Sequence, residues 1–127
     1  MSSEVSTRLL IVDDESDICE FLRSFFDRRG FEVRTARSGE EALQAATDFR
    51  PRIILLDVKM PGLSGIDVLP RLRQEHPECR IVMITALDDM ALMDRARALG
   101  AADYIRKPFS LDYLGQEVLV KLKTANC

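Results

Sequence analysis

The stretch Arg8-Leu9-Leu10-Ile11-Val12-Asp13-Asp14 is a four-residue apolar run closed by two carboxylates. It is too short for a helix, and it reads as a buried strand with an acidic end. The pattern returns at Arg52-Ile53-Ile54-Leu55-Leu56-Asp57, and related β-rich runs lie at 31–36, 80–85 and 103–107. Their starts, at 8, 31, 52, 80 and 103, are 23, 21, 28 and 23 residues apart. The first, third and fourth runs are apolar almost throughout, as strands covered on both faces are, whereas the second alternates like an edge strand.

Between the runs lie amphipathic stretches. In the clearest, Ile18, Phe21, Leu22, Phe25 and Phe26 recur at i, i+3, i+4, i+7 and i+8, the stripe of a helix facing a core. Gly30 and Gly100 stand where helix C-terminal caps belong, and Ser38, with Glu41 three residues on, and Ser110 stand where N-caps belong. Pro70, inside the apolar run 66–72, removes a helix hydrogen bond and predicts a kink or a late-starting third helix. Strand and helix alternating five times predict an α/β fold, a parallel sheet with helices on both faces.

The 127 residues suit one domain over 1–127, with a folded core from about 8 to 123. Hydrophobic residues make up 46% and charged residues 31%, as in ordinary globular proteins. A net charge of -3 gives no long-range pull toward phosphate backbones or anionic lipid, so direct nucleic-acid binding is not expected. Cys19, Cys79 and Cys127 are odd in number and scattered, with no Cys-x-x-Cys pair, and read as reduced thiols. The longest apolar runs are four residues, so neither membrane spanning nor export is expected and a cytoplasmic location is.

The polar residues that close the runs carry the functional reading. In open parallel sheets ligands bind beyond the carboxyl ends of the strands, where the strand order reverses. Those ends hold Asp13 and Asp14, then Asp57, Thr85 and Lys107. In a sheet of order 2-1-3-4-5 the first and third strands are neighbours, which gathers three carboxylates in one cleft. Like charges ~4 Å apart repel by about 4 kcal/mol at an effective dielectric near 20, so protonation or a cation must relieve them. Oxygen ligands without His or Cys nearby suit Mg²⁺. Alone, each acid reads better as a cap or turn residue: Asp13 and Asp14 before a helix, Asp57 before Pro61.

Taken together, Asp13-Asp14, Asp57-x-x-Met60-Pro61-Gly62-x-x-Gly65, Thr85-Ala86 and Lys107-Pro108 resemble the signature of response-regulator receiver domains of two-component signalling, from about residue 8 to residue 123. The resemblance implies a (βα)5 doubly wound, flavodoxin-like and CheY-like fold of order 2-1-3-4-5. It implies that Asp57 takes a phosphoryl group from a histidine kinase or phosphotransfer protein. Asp14, Asp57 and the backbone carbonyl of Lys59 would hold Mg²⁺, with Asp13 acting directly or through water. Lys107, aimed by a cis Pro108, would pair with one phosphoryl oxygen, and Thr85 would hydrogen-bond another. Thr85 would then vacate space that Tyr104 enters, which is the switch. Lys59 and Leu87 hold the positions that tune acyl-phosphate lifetime; neither can orient an attacking water, which implies slow self-dephosphorylation.

Implied partners are a downstream target or output domain and a phosphorylation-dependent homodimer through the fourth helix, fifth strand and fifth helix. Ending at Cys127, the sequence leaves open a stand-alone protein or the receiver piece of a longer chain. Three other functions share the fold. A Mg²⁺-dependent phosphohydrolase would need a second acid and a cap over its substrate, and a flavodoxin-like cofactor binder would meet repulsion from Asp13-Asp14-Glu15. A docking module that has lost the chemistry would not need the whole set of acids, Thr85 and Lys107. His76, before Pro77, is expected to be a solvent-facing cap residue, and Asp88 and Asp89 to cap the next helix.

Overall fold

A computed structural model of the chain describes residues 7–85, 90–106, 115–116 and 119–120. The apolar runs are strands: β1 Arg8–Val12, β2 Glu32–Ala36, β3 Ile53–Asp57, β4 Arg80–Thr85 and β5 Asp103–Arg106. Between them run α1 Ser16–Asp27, α2 Gly39–Phe49, α3 Gly65–Glu75 and α4 Met90–Ala98. Gly115, Gln116, Leu119 and Val120 are helical as well. The sheet is parallel throughout and its order is β2-β1-β3-β4-β5, so the expected doubly wound topology holds. β2 is an edge strand, in keeping with its alternating burial.

Successive strand residues point to opposite faces, and this divides the core in two. Leu10, Val12, Ile54, Leu56, Ile81 and Met83 meet α2, α3 and α4 on one face. Leu9, Ile11, Ile53, Leu55, Val82 and Ile84 meet α1 on the other. There Phe26 packs edge-on against Phe25 and Phe31, with ring centroids 5.0 and 5.1 Å apart. Helical Gly115 lies against the same aromatic group, because a Cβ there would sit 2.7 Å from the Phe25 ring.

The helix ends follow local chemistry. Ser38 caps α2 by accepting a hydrogen bond from the Glu41 N–H at 3.1 Å. Gly30 and Gly100 follow α1 and α4 with φ of 89° and 111°. Of the two expectations for the third helix, the late start does not hold: the helix runs from Gly65 through Pro70 to Glu75. A capping box launches it: the Ser64 hydroxyl accepts from the Asp67 N–H at 3.2 Å and the Asp67 carboxylate accepts from the Ser64 N–H at 3.0 Å. Pro70 is exposed, where water can reach the carbonyl left by its missing N–H. His76 is a second departure. It does cap α3, donating its N–H to the Leu72 carbonyl at 2.9 Å, but its ring is partly buried and not solvent-facing.

Two outcomes check this account of the fold. Phe26→Ala, which empties a fully buried site, is expected to lower unfolding free energy by about 3–5 kcal/mol. Ser64→Ala, which removes half of the capping box, is expected to lower it by about 1 kcal/mol. Urea unfolding followed by circular dichroism measures both.

Candidate functional site

The carboxyl ends of β1 and β3 lie side by side, with Val12 in register with Leu56. The Asp13 N–H donates to the Ala36 carbonyl at 3.0 Å, carrying the ladder to β2 one residue past β1. Its Oδ1 then accepts the Glu15 N–H at 2.9 Å, a turn that orients the carboxylate before α1 begins. The N-cap residue of α1 is Glu15, so neither Asp13 nor Asp14 caps that helix. Asp57 is the last residue of β3, and past it Val58 donates to the Ile84 carbonyl at 2.8 Å. The Lys59 N–H approaches Asp57 Oδ1 at 3.4 Å.

The loop after Asp57 folds back onto the strand. Val58 and Met60 are buried in the core beneath it, and the Gly65 N–H donates to the Val58 carbonyl at 2.8 Å. Gly65 is the residue that permits this, because a Cβ there would lie 2.1 Å from the Asp57 carbonyl oxygen. The first turn of α3 is thereby pressed against the strand end that carries Asp57.

Asp13, Asp14 and Asp57 each offer a carboxylate oxygen, and the three atoms lie within 4.8 Å of one another. Asp13 and Asp57 are buried and Asp14 is partly exposed. Three carboxylates this close are an unfavourable arrangement for the bare protein. They make an oxygen-only donor set with one side open, which fits a hard divalent cation such as Mg²⁺. Thr85, also buried, ends β4 one position past Ile84, the register partner of Asp57. Tyr104, partly buried, lies on β5 in register with Met83. β5 ends at Arg106 opposite Thr85. The expectations for Lys107, Pro108, Leu87, Asp88, Asp89 and the Ser110 cap lie outside the described residues.

Three neighbours of the site carry no signal in the sequence pattern. The Arg37 guanidinium donates to the Asp14 carbonyl at 3.4 Å, setting a positive charge beside the acids. Arg97 on α4 lies over the Tyr104 ring at 4.7 Å from its centroid. The Cys19 thiol donates to the Asp13 carbonyl at 3.3 Å. Burial first, and then the Asp13 charge, pushes that thiol up to about 11, and burial pushes Cys79 up to about 12.

A family model described as the response regulator receiver domain matches residues 9–119. The chain is 42% identical over 106 residues to the alkaline phosphatase synthesis transcriptional regulatory protein PhoP of Bacillus subtilis, covering 84% of this chain and 44% of that protein. It is 32% identical over 114 residues to sporulation initiation phosphotransferase F of the same organism, covering 90% of this chain and 92% of that protein. Among solved structures, CheY in a CheX-CheY-BeF3-Mg complex from Borrelia burgdorferi matches with a TM-score of 0.81 at 30% identity, covering 91% of this chain and 89% of that one. The chain thus spans less than half of PhoP and nearly all of phosphotransferase F.

Two checks follow from the geometry. Gly65→Ala is expected to destabilise the protein by more than the few tenths of a kcal/mol usual for a surface change and to weaken magnesium binding at the acid cluster, read by thermal unfolding with and without MgCl2. Both buried thiols have folded-state values above an ordinary thiol's ~8.5, so each stabilises the fold fully below that pH. That contribution is lost as pH rises toward 11 to 12. In a Cys127→Ser background, native protein is expected to resist a thiol reagent at pH 8 and react only once unfolded. Its stability is expected to fall more steeply above pH 9 than that of Cys19→Ala.

Proposed function

Because this chain belongs to the response regulator receiver domain family, a phosphorylation-activated switch of two-component signalling, we propose that Asp57 is the residue that takes the phosphoryl group. The observation that carries the assignment is the gathering of Asp13, Asp14 and Asp57 within 4.8 Å, with Asp57 at the end of a strand in the middle of the sheet. Receiver domains are in general Mg²⁺-dependent, and the cluster has the donors for that ion.

Asp14 and Asp57, with the Lys59 carbonyl, would hold the cation, and Asp13 would bind it directly or through water. Bound there, Mg²⁺ supplies charge neutralisation for the oxygens of donor and acceptor. The Asp57 carboxylate oxygen forms the new P–O bond as the P–N bond of a donor phosphohistidine breaks. The electron pair of that bond stays on the imidazole nitrogen. Arg37 beside Asp14 lowers the cost of gathering the acids, and the Lys107 ammonium pairs with one phosphoryl oxygen while the Thr85 hydroxyl donates to another. The domain is a signalling module whose catalysis is limited to its own phosphorylation and dephosphorylation.

Turning a switch from 1:99 to 99:1 takes about 5.5 kcal/mol, and two charge-assisted hydrogen bonds at about 1.5–3 kcal/mol each are of that size. Thr85 at the end of β4 and Tyr104 on neighbouring β5, in register with Met83 two residues earlier, are the elements this would move, and Tyr104 enters the space Thr85 leaves. Partners are then a histidine kinase or phosphotransfer protein as donor, and a downstream target, output domain or second copy through the fourth helix, fifth strand and fifth helix as receiver of the signal.

Incubation with a small phosphodonor, or with beryllium fluoride, with and without Mg²⁺, tests the assignment. One adduct on the wild type by mass, only with Mg²⁺ and none on Asp57→Asn, is the expected result; an adduct that survives Asp57→Asn would sink it. Thr85→Ala is expected to accept the phosphoryl group yet lose most of the change in partner affinity. Without Mg²⁺, Asp13→Asn relieves part of a repulsion of at least about 3 kcal/mol per pair at an effective dielectric near 20 and is expected to unfold at a higher temperature than wild type. With Mg²⁺ that order is expected to shrink or reverse.

A further inference from the structure

The end of the sheet opposite the acids holds a cleft of about 440 Å³, between the α2–β3 connection and the α3–β4 connection. That volume is within the range of small-molecule sites. Arg50 and Arg52 stand on one wall and Glu75, His76 and Glu78 on the other. We propose that this cleft binds a phosphomonoester of a small polyol, with Arg50 and Arg52 on the phosphate, Glu78 on a hydroxyl group and the His76 ring turning to bring its buried Nε2 onto an inner oxygen.

Four observations carry the proposal. First, neither the Arg50 nor the Arg52 side chain makes a hydrogen bond or ion pair among the described residues, whereas Arg8 is paired with Glu32 and Arg71 with Glu75. Two uncommitted guanidinium forks on one wall are the donors that planar phosphate recognition uses. Second, His76 Nε2 is buried and has no hydrogen-bond partner among the described residues. Such an atom costs about 1–3 kcal/mol unless something polar meets it. Third, Arg50 is the one non-glycine residue with a positive φ among those described, at 54° as the C-cap residue of α2. Glycine would adopt that backbone with less strain, so holding an arginine there is a cost that a role for its side chain explains. Fourth, the carboxylates sort themselves: Glu75 is held by Arg71 at 2.8 Å, which leaves Glu78 able to accept from a ligand hydroxyl. The wall itself is fastened from behind, since the Arg73 guanidinium donates to the Cys79 carbonyl at 2.6 Å and to the Pro77 carbonyl.

This cleft is independent of the acid cluster, so its test can be run with the phosphorylation chemistry removed. His76 is the only histidine in the chain, and its ring protons therefore give one unambiguous pair of NMR signals. Asp57→Asn protein in metal-free buffer at constant ionic strength is titrated with glycerol 3-phosphate, and in parallel with glycerol and with sodium chloride. The expected result is a saturating shift of the His76 signals with glycerol 3-phosphate alone. Arg50→Gln with Arg52→Gln is expected to weaken it at least tenfold, while Arg80→Gln, at the same end of the sheet but outside the cleft, is expected to leave it within twofold. Glutamine keeps position 50 an L-residue, so the backbone strain is matched, and thermal unfolding confirms that the variant is folded. A shift that never saturates, an equal shift with chloride, or unchanged binding in the paired arginine variant would overturn the proposal.

Discussion

Three carboxylates held within 4.8 Å of one another are the constraint around which the rest of the molecule is arranged. The repulsion among them is several kcal/mol at the effective dielectric of a protein surface, comparable with the whole stability of a small domain. The fold tolerates it because the acids stand at the ends of two adjacent strands, buried from Leu9 to Val12 and from Ile53 to Asp57, that cannot move apart without opening the core. A divalent cation among the acids would relieve it, and the Arg37 guanidinium already sets a positive charge beside Asp14. A domain built on unrelieved charge in this way is poised to respond when the charge changes, which is the physical content of a switch.

The surroundings of the cluster serve the same constraint. Gly65 lets α3 close on the Asp57 strand end, the Ser64–Asp67 capping box starts that helix immediately afterwards, and Val58 and Met60 anchor the loop between. Arg37 reaches in from the start of α2 with a compensating charge. On the far side of β4, Tyr104 lies between the core and the Arg97 guanidinium. At the opposite end of the sheet Arg8, Arg52 and Arg80 stand in neighbouring strands or just before them, among the carboxylates of Glu32, Glu75 and Glu78.

Much of this was legible in the residues themselves. Strand positions came from apolar runs such as 9–12 and 53–56, helix α1 from the stripe of Leu22, Phe25 and Phe26, and the doubly wound topology from their alternation, since these patterns record burial. The acid cluster was legible because strand ends in a parallel sheet point to one edge. What failed was local and cooperative. Pro70 suggested a kink or a late third helix, and the late start fails because Ser64 and Asp67 together start the helix at Gly65, a gain visible only when both hydrogen bonds are seen. His76 before Pro77 suggested a solvated cap, yet the chain folds its ring nitrogen inward.

The sequence by itself determined which residues are strands, which face of α1 is buried, and that acids close β1 and β3 and a hydroxyl closes β4, because hydrophobic periodicity and turn chemistry act over a few residues. Only the tertiary structure decided that Asp13, Asp14 and Asp57 come within one cation's reach, that Arg37 and Cys19 touch the Asp13-Asp14 turn, that Arg97 covers Tyr104, and that a cleft opens beside Arg50 and His76. Those contacts join residues from different elements. Their distances are set by how the sheet twists and the helices pack, which no local stretch of chain encodes.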